Sequence, residues 1–236
     1  MAYIKVSLIN QSTVLTDFQV QSAIPALQTQ VHRDFAPVYG IDADIAFVPK
    51  TASPEPDSWV MAIFDNSDQA GALGYHDLTA NGLPLAKVFA GSDMKAGLSW
   101  TVTASHELLE MLGDPDIDLT VFVQSSNTSG ILYAYEVCDA CESDSLGYGI
   151  GGTLVSDFVF PTWFESFRAP GSVQFDLQNK ISKPFQILPG GYIGTFDVTA
   201  GSGWQQTMEG VLSNVRVDSR FERRKKPKDK WHRSVK

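Results

Sequence analysis

Apolar residues recur with two different periods along this chain, and the change of period marks its elements. Tyr3 to Ile9 alternates and is rich in β-formers, which predicts a strand. Ile24, Leu27, Val31 and Phe35 then fall three or four apart, the spacing of one helix face. Pro25 must sit in the first turn of that helix or kink it, because proline lacks the amide donor and its ring clashes with the preceding turn. Asp44 to Val48 and Trp59 to Phe64 read as short apolar strands, separated by the Pro-rich loop PKTASPEPD. Two further strands are predicted between Ala72 and Ala90, around the turn Ala80-Asn81-Gly82, and Gly91 to Gly97 reads as a loop. A helix follows from Trp100 to Leu112, with Ser99 as its cap, Gly113 as a left-handed stop and Pro115 just beyond.

The second half has a different texture. Thr120 to Gln124 and Ile131 to Val137 are predicted strands joined by the turn SSNTSG. Beyond them helical periodicity is weak, and Gly, Pro and aromatic residues accumulate, as in VSDFVFPTWF and ILPGGYIGTF. With no internal repeat and no clear linker, the pattern predicts one α+β domain over residues 1–219. Its N-terminal α/β half runs to about 113 and holds a mixed, twisted sheet; its C-terminal half is irregular and strand-rich.

Composition narrows the class. Of 236 residues, 43% are hydrophobic and 19% charged, enough apolar content for a real core and too much for overall disorder. No apolar run is long enough for a bilayer, so no membrane association is expected. The opening MAYIKVSLIN lacks the features of a secretory signal, so the expected location is the cytoplasm or a virion. Cys138 and Cys141 are too few for a disulfide scaffold and read as two reduced, partly buried thiols. The net charge of −9 divides unevenly: residues 220–236 hold nine Lys/Arg against Glu222 and Asp229, so an acidic body precedes a basic tail. That tail is read as flexible, and through it alone would nucleic acid or another anionic partner bind.

The chemistry concentrates on the helix, in His106-Glu107-Leu108-Leu109-Glu110. Residues four apart share a helix face, so His106 and Glu110 can point at one metal ion. Glu107, about 100° further round at 3.6 residues per turn, can stand beside a water at that ion. The segment HELLEMLGDPD resembles the zincin metallopeptidases, in particular the metzincin pattern HExxHxxGxxD with Glu110 in place of the second histidine. The predicted order of strand, long helix, strand, strand, edge strand and active helix is similar to the zincin upper lobe. The run SHELLEMLGDP followed by EVCD is also similar to a group of bacterial and phage proteins.

That resemblance implies a zincin-like fold and hydrolysis of a peptide or protein substrate. It implies Glu107 as general base, His106 and Glu110 as metal ligands, and either Asp116 or Glu136 as third ligand. Asp116 has the metzincin position, and Glu136 in YEVCD that of the downstream glutamate of the thermolysin-like branch. Zn²⁺ is the implied ion, with Ca²⁺ or Mn²⁺ as alternatives because a carboxylate has replaced an imidazole. Asp139 is expected to support the ligands, and His76 to bind substrate or stabilise an oxyanion. The edge strand beside the cleft is expected at Leu85 to Ala90 or Ala72 to His76. No Met-turn is identifiable, Met208 being distant and VSDFVFPTWF the segment available to replace it. His32 is placed on the outer face of the first helix. The alternative function is a protein of the same fold that does not hydrolyse but binds or builds, as in a phage particle.

Overall fold

The computed structural model describes residues 4–69 and 71–209 and, as backbone, 211–216. The chain opens with β1 (Ile4–Asn10) and then α1 (Asp17–Thr29). α1 starts earlier than its apolar spacing predicts, because Thr16 and Gln19 form a capping box: Gln19 N donates to Thr16 Oγ1 at 3.2 Å and Thr16 N to Gln19 Oε1 at 2.9 Å. Pro25 therefore lies inside the helix rather than in its first turn. Downstream the winding widens to a π-helix over Gln30–Phe35 and resumes as α2 (Ala36–Tyr39), which stops at Gly40 with φ of 72°. Val20, Leu27, Val31 and Phe35 form the buried stripe, while His32 stays on the exposed side.

Four more strands complete the first sheet: β2 (Ala43–Val48), β3 (Trp59–Phe64), β4 (Gly74–Leu78) and β5 (Pro84–Phe89). Their order is β2-β1-β3-β5-β4, with every pairing parallel except that of β4 with β5. β5 is buried along its whole length, as an interior strand should be, so the edge is β4, not Leu85 to Ala90. Gly91 to Gly97, predicted as a loop, belongs instead to α3 (Ala90–Ala96), with Gly97 as its left-handed end at φ of 75°. Glycine is required at 91 because a Cβ there would meet Asp65 O at 2.3 Å.

The helix of interest is α4 (Trp100–Gly113). Ser99 occupies the capping position in extended conformation but makes no side-chain capping bond. Gly113 is helical and not the left-handed stop; its small size lets Val137 approach, since a Cβ would lie 3.1 Å from Val137 Cγ1. Asp114 ends the helix, and its buried carboxylate accepts from the amides of Asp118 and Leu119.

β6 (Thr120–Gln124) and β7 (Gly130–Ala134) form the predicted hairpin, although β7 ends short of Val137. A small hairpin of β8 (Tyr148–Ile150) and β9 (Thr153–Val155) follows, then β10 (Tyr192–Asp197), β11 (Trp204–Met208) and β12 (Val211–Arg216). The second sheet is antiparallel, in the order β12-β11-β10-β7-β6. The fold is thus mixed α+β, with few helices and several sheets. Among the described residues no helix is long and apolar enough to cross a membrane. The basic segment 220–236 lies outside the described residues.

α1 and α4 cover one face of the first sheet, and the main core lies between. Leu8, Met61, Ile63 and Val88 from the strands meet Leu27, Phe35, Leu108 and Leu112 from the helices. A second core under the C-terminal sheet centres on Trp163, Phe164, Phe175 and Ile181. Beside it stand two fully buried carboxyls. Asp157 Oδ1 accepts from Phe158 N and Gln178 N, and Asp176 accepts from Lys180 N and Ile181 N. Burial, and then the neighbouring Asp176, push the Asp157 carboxyl up to about 8.

Asp157 in the unfolded chain loses its proton near pH 4, while in the fold it keeps that proton to about pH 8. The native state therefore binds more protons across this window, and its stability falls as pH rises. We predict that the stability of Asp157→Asn relative to wild type rises steadily with pH between these limits. Urea denaturation at several pH values measures the difference; a constant offset would contradict it.

Candidate metal centre

α4 contributes three ionisable side chains that are almost wholly withdrawn from water. His106 and Glu107 are each 5% exposed and Glu110 is 4% exposed. Leu108, Leu109 and Leu112 drive this burial by filling the main core, and the helical period turns His106, Glu107 and Glu110 toward a cleft on another side. The cleft encloses about 1210 Å³. β4 and the segment before it form one wall, and residues 134–145 with parts of β10 and β11 form the other. Met208 stands half in solvent at its rim. Among the described residues lining it there is no lysine or arginine.

Two other segments complete the cluster. On β4 the side-chain period of two puts Gly74 and His76 on one face, toward α4. Gly74 has no room for a side chain, since a Cβ would lie 2.6 Å from Glu107 Oε1. His76 is 2% exposed, with Nδ1 3.8 Å from Glu107 Oε2 and 3.6 Å from Glu110 Oε2, and Nε2 3.5 Å from Glu136 Oε2. After β7 the chain runs through Glu136 into the short 3-10 turn Asp139–Cys141. His106 Nε2 lies 3.2 Å from Glu110 Oε2 and 3.3 Å from Asp139 Oδ1. Cys138 N donates to Glu110 Oε1 at 3.1 Å and orients that carboxylate.

The sequence-based assignments separate here. His106, Glu107, Glu110, Glu136, Asp139 and His76 all line the cleft. Asp116 does not: it is exposed on the turn after α4. The metzincin pattern needs its glycine to redirect the chain inward. Here Gly113 stays helical, Asp114 makes the turn, and Ile117 is buried with φ of 51°. His76, expected to face substrate, stands among carboxylates. Glu142 joins the cluster without having been singled out as a ligand; its one sequence signal is its place in the acidic run after YEVCD. Both cysteines are free thiols and fully buried.

The electrostatics follow from burying many acids together. Burial disfavours charge on the His76 ring, yet Glu136, Glu107 and Glu110 outweigh it and push the pKa up to about 10. His106 is likewise raised against its burial, by Glu110 and Asp139. Burial would raise Glu110, but the two imidazoles hold it well below the usual range. Glu107 is raised because burial prevails over its histidine neighbours. Asp139 is raised by burial and by Glu110, and Glu142 by burial.

This donor set fits a divalent cation. Ligand atoms at zinc distances of about 2.0–2.2 Å lie roughly 3.3 Å from one another around a tetrahedral ion, and the His106 pairs at 3.2 and 3.3 Å match that spacing. Two buried atoms within the cluster, His76 Nε2 and Glu107 Oε2, have no hydrogen-bond partner among the described residues. Three trios each place one donor atom per residue within 4.8 Å: His106, Glu110 and Cys138; His76, Glu110 and Glu136; His106, Asp139 and Glu142. No family model, curated protein or solved structure matches the chain.

The crowding at Gly74 is directly testable. Gly74→Ala would force Glu107 or β4 to shift, and overpacking of this kind costs about 1–3 kcal/mol. Urea denaturation should show that loss; a variant as stable as wild type would mean the strand and α4 are not in contact.

Proposed function

We propose that this chain is a zincin-like, metal-dependent hydrolase acting on peptide bonds. The observation that carries the reading is the convergence of His106, Glu107 and Glu110 from one buried helix turn on the cleft, with a buried Glu107 oxygen that accepts no hydrogen bond among the described residues. His106 and Glu110 would hold the ion, with Asp139, whose Oδ1 lies 3.3 Å from His106 Nε2, as a further donor on the other side of that imidazole. Zinc suits imidazole with carboxylate, and the carboxylate-rich surroundings also suit manganese or calcium. When bound, the ion supplies Lewis acidity toward a carbonyl and makes a nearby water a stronger acid.

The rest of the proposed chemistry belongs to the chain. Glu107 takes the proton from the attacking water at Oε2 and passes it to the leaving amine. Cys138 N holds Glu110 so that its other oxygen stays directed at the histidines. β4 has β5 on one side and, among the described residues, no strand on the other. That free edge borders the cleft, where an extended substrate backbone can add as a further strand. The order of β2-β1-β3-β5-β4 with an antiparallel edge strand supports the zincin likeness.

Purified protein should carry a divalent metal, and His106→Ala should bind less of it. A peptide library read by mass spectrometry should show cleavage that a chelator abolishes. Glu107→Gln should keep the metal while turnover falls roughly 10²–10⁴-fold, the worth of a general base. Undiminished turnover in Glu107→Gln would refute its role. Metal retained with no chelator-sensitive cleavage would favour a binding function instead.

A further inference from the structure

We propose that the cleft holds two metal ions side by side, with Glu110 shared between them. The inference rests on the metal-binding reading of this site and extends it. One position takes His106, Asp139 and Glu142; the other takes His76, Glu110 and Glu136. These two trios have no residue in common, and each brings its three donor atoms within 4.8 Å. A single ion coordinated by His106 and Glu110 leaves the His76 and Glu136 pair without a task.

Glu110 joins the two halves. Its Oε2 lies 3.2 Å from His106 Nε2 and 3.6 Å from His76 Nδ1, so the same oxygen stands between both imidazoles. Its Oε1 is held by the Cys138 amide, which prevents the carboxylate from swinging wholly to one side. His76 Nε2 is buried, lacks a hydrogen-bond partner among the described residues, and lies 3.5 Å from Glu136 Oε2. A buried imidazole nitrogen in that setting is a ligand in waiting rather than a packing element.

The charge balance points the same way. Glu107, Glu110, Glu136 and Asp139 are buried and Glu142 is half-buried, and no lysine or arginine among the described residues lines the cleft. The two imidazoles are the cationic groups set against these five carboxyls, at 3.2–3.8 Å from those of Glu107, Glu110, Glu136 and Asp139. With both histidines as neutral ligands and all five carboxyls ionised, one divalent ion offsets fewer than half of the negative charge, and two leave a single excess. His76 and Glu136 are thereby assigned to metal binding, not to substrate contact.

The test is metal content and metal-to-metal proximity in the full chain. After dialysis against excess Mn²⁺ and removal of free ion, elemental analysis should find two ions per chain, and electron paramagnetic resonance should show a coupled pair. His76→Ala and the gentler Glu136→Gln should each bind one ion and show the signal of isolated Mn²⁺. His106→Ala should retain the ion at His76. Circular dichroism and thermal melts confirm that each variant is folded, and Glu136→Gln preserves shape if His76→Ala does not fold. A single ion in wild type, unaffected by either change at His76 or Glu136, overturns the second position and leaves the one-ion hydrolase intact. No ion in wild type overturns both readings. Two ions without cleavage of any peptide sustain this inference and remove the hydrolase.

Discussion

A buried turn of helix bearing one imidazole and two carboxylates is the constraint on which the rest of this structure depends. The leucines of α4 pull the helix into the main core, and the same rigid geometry withdraws His106, Glu107 and Glu110 from water. Ionised groups in that setting are tolerated only with counter-charges and donors at close range. The neighbouring elements supply them: His76 from β4, the Cys138 amide beyond β7, and the close approach that Gly74 permits.

The chain meets the cost of buried acids in two separate ways. Under the C-terminal sheet, Asp157 and Asp176 are packed among apolar side chains and backbone amides, and Asp157 retains its proton. In the cleft the carboxylates outnumber the imidazoles, and both line the wall of a cavity of about 1210 Å³. The first arrangement is held by backbone amides at its carboxyl oxygens. The second gathers imidazoles and carboxyls from three segments around one cleft, and the proposed metal binding rests on that convergence. The strand order places this cleft beside β4, the edge strand of the first sheet among the described residues.

Local errors in reading the chain have local physical causes. The start of α1 was legible in the Thr16–Gln19 capping box but overshadowed by apolar spacing that begins later. α3 was hidden because its glycine and alanine carry little periodicity and Gly91 is there to let Asp65 approach. Gly113 looks like a chain-reversing residue in the sequence, but its small size serves to admit Val137, and Asp116 consequently stays exposed on the turn after α4.

By itself the sequence determined what short-range periodicity can carry: the strands β1, β2 and β3, the β4–β5 and β6–β7 hairpins, and a helix with His106, Glu107 and Glu110 on neighbouring turns of its surface. Those depend on spacings of two to four residues, which any reader of the chain can count. The rest of the cluster required the tertiary fold. His76, Glu136, Asp139 and Glu142 are separated from α4 by tens of residues, and no local rule says which of several acids will face it. That choice was made by strand order, which set β4 and not β5 at the edge, and by the turn after α4, which left Asp116 in solvent and brought the segment following β7 across the cleft.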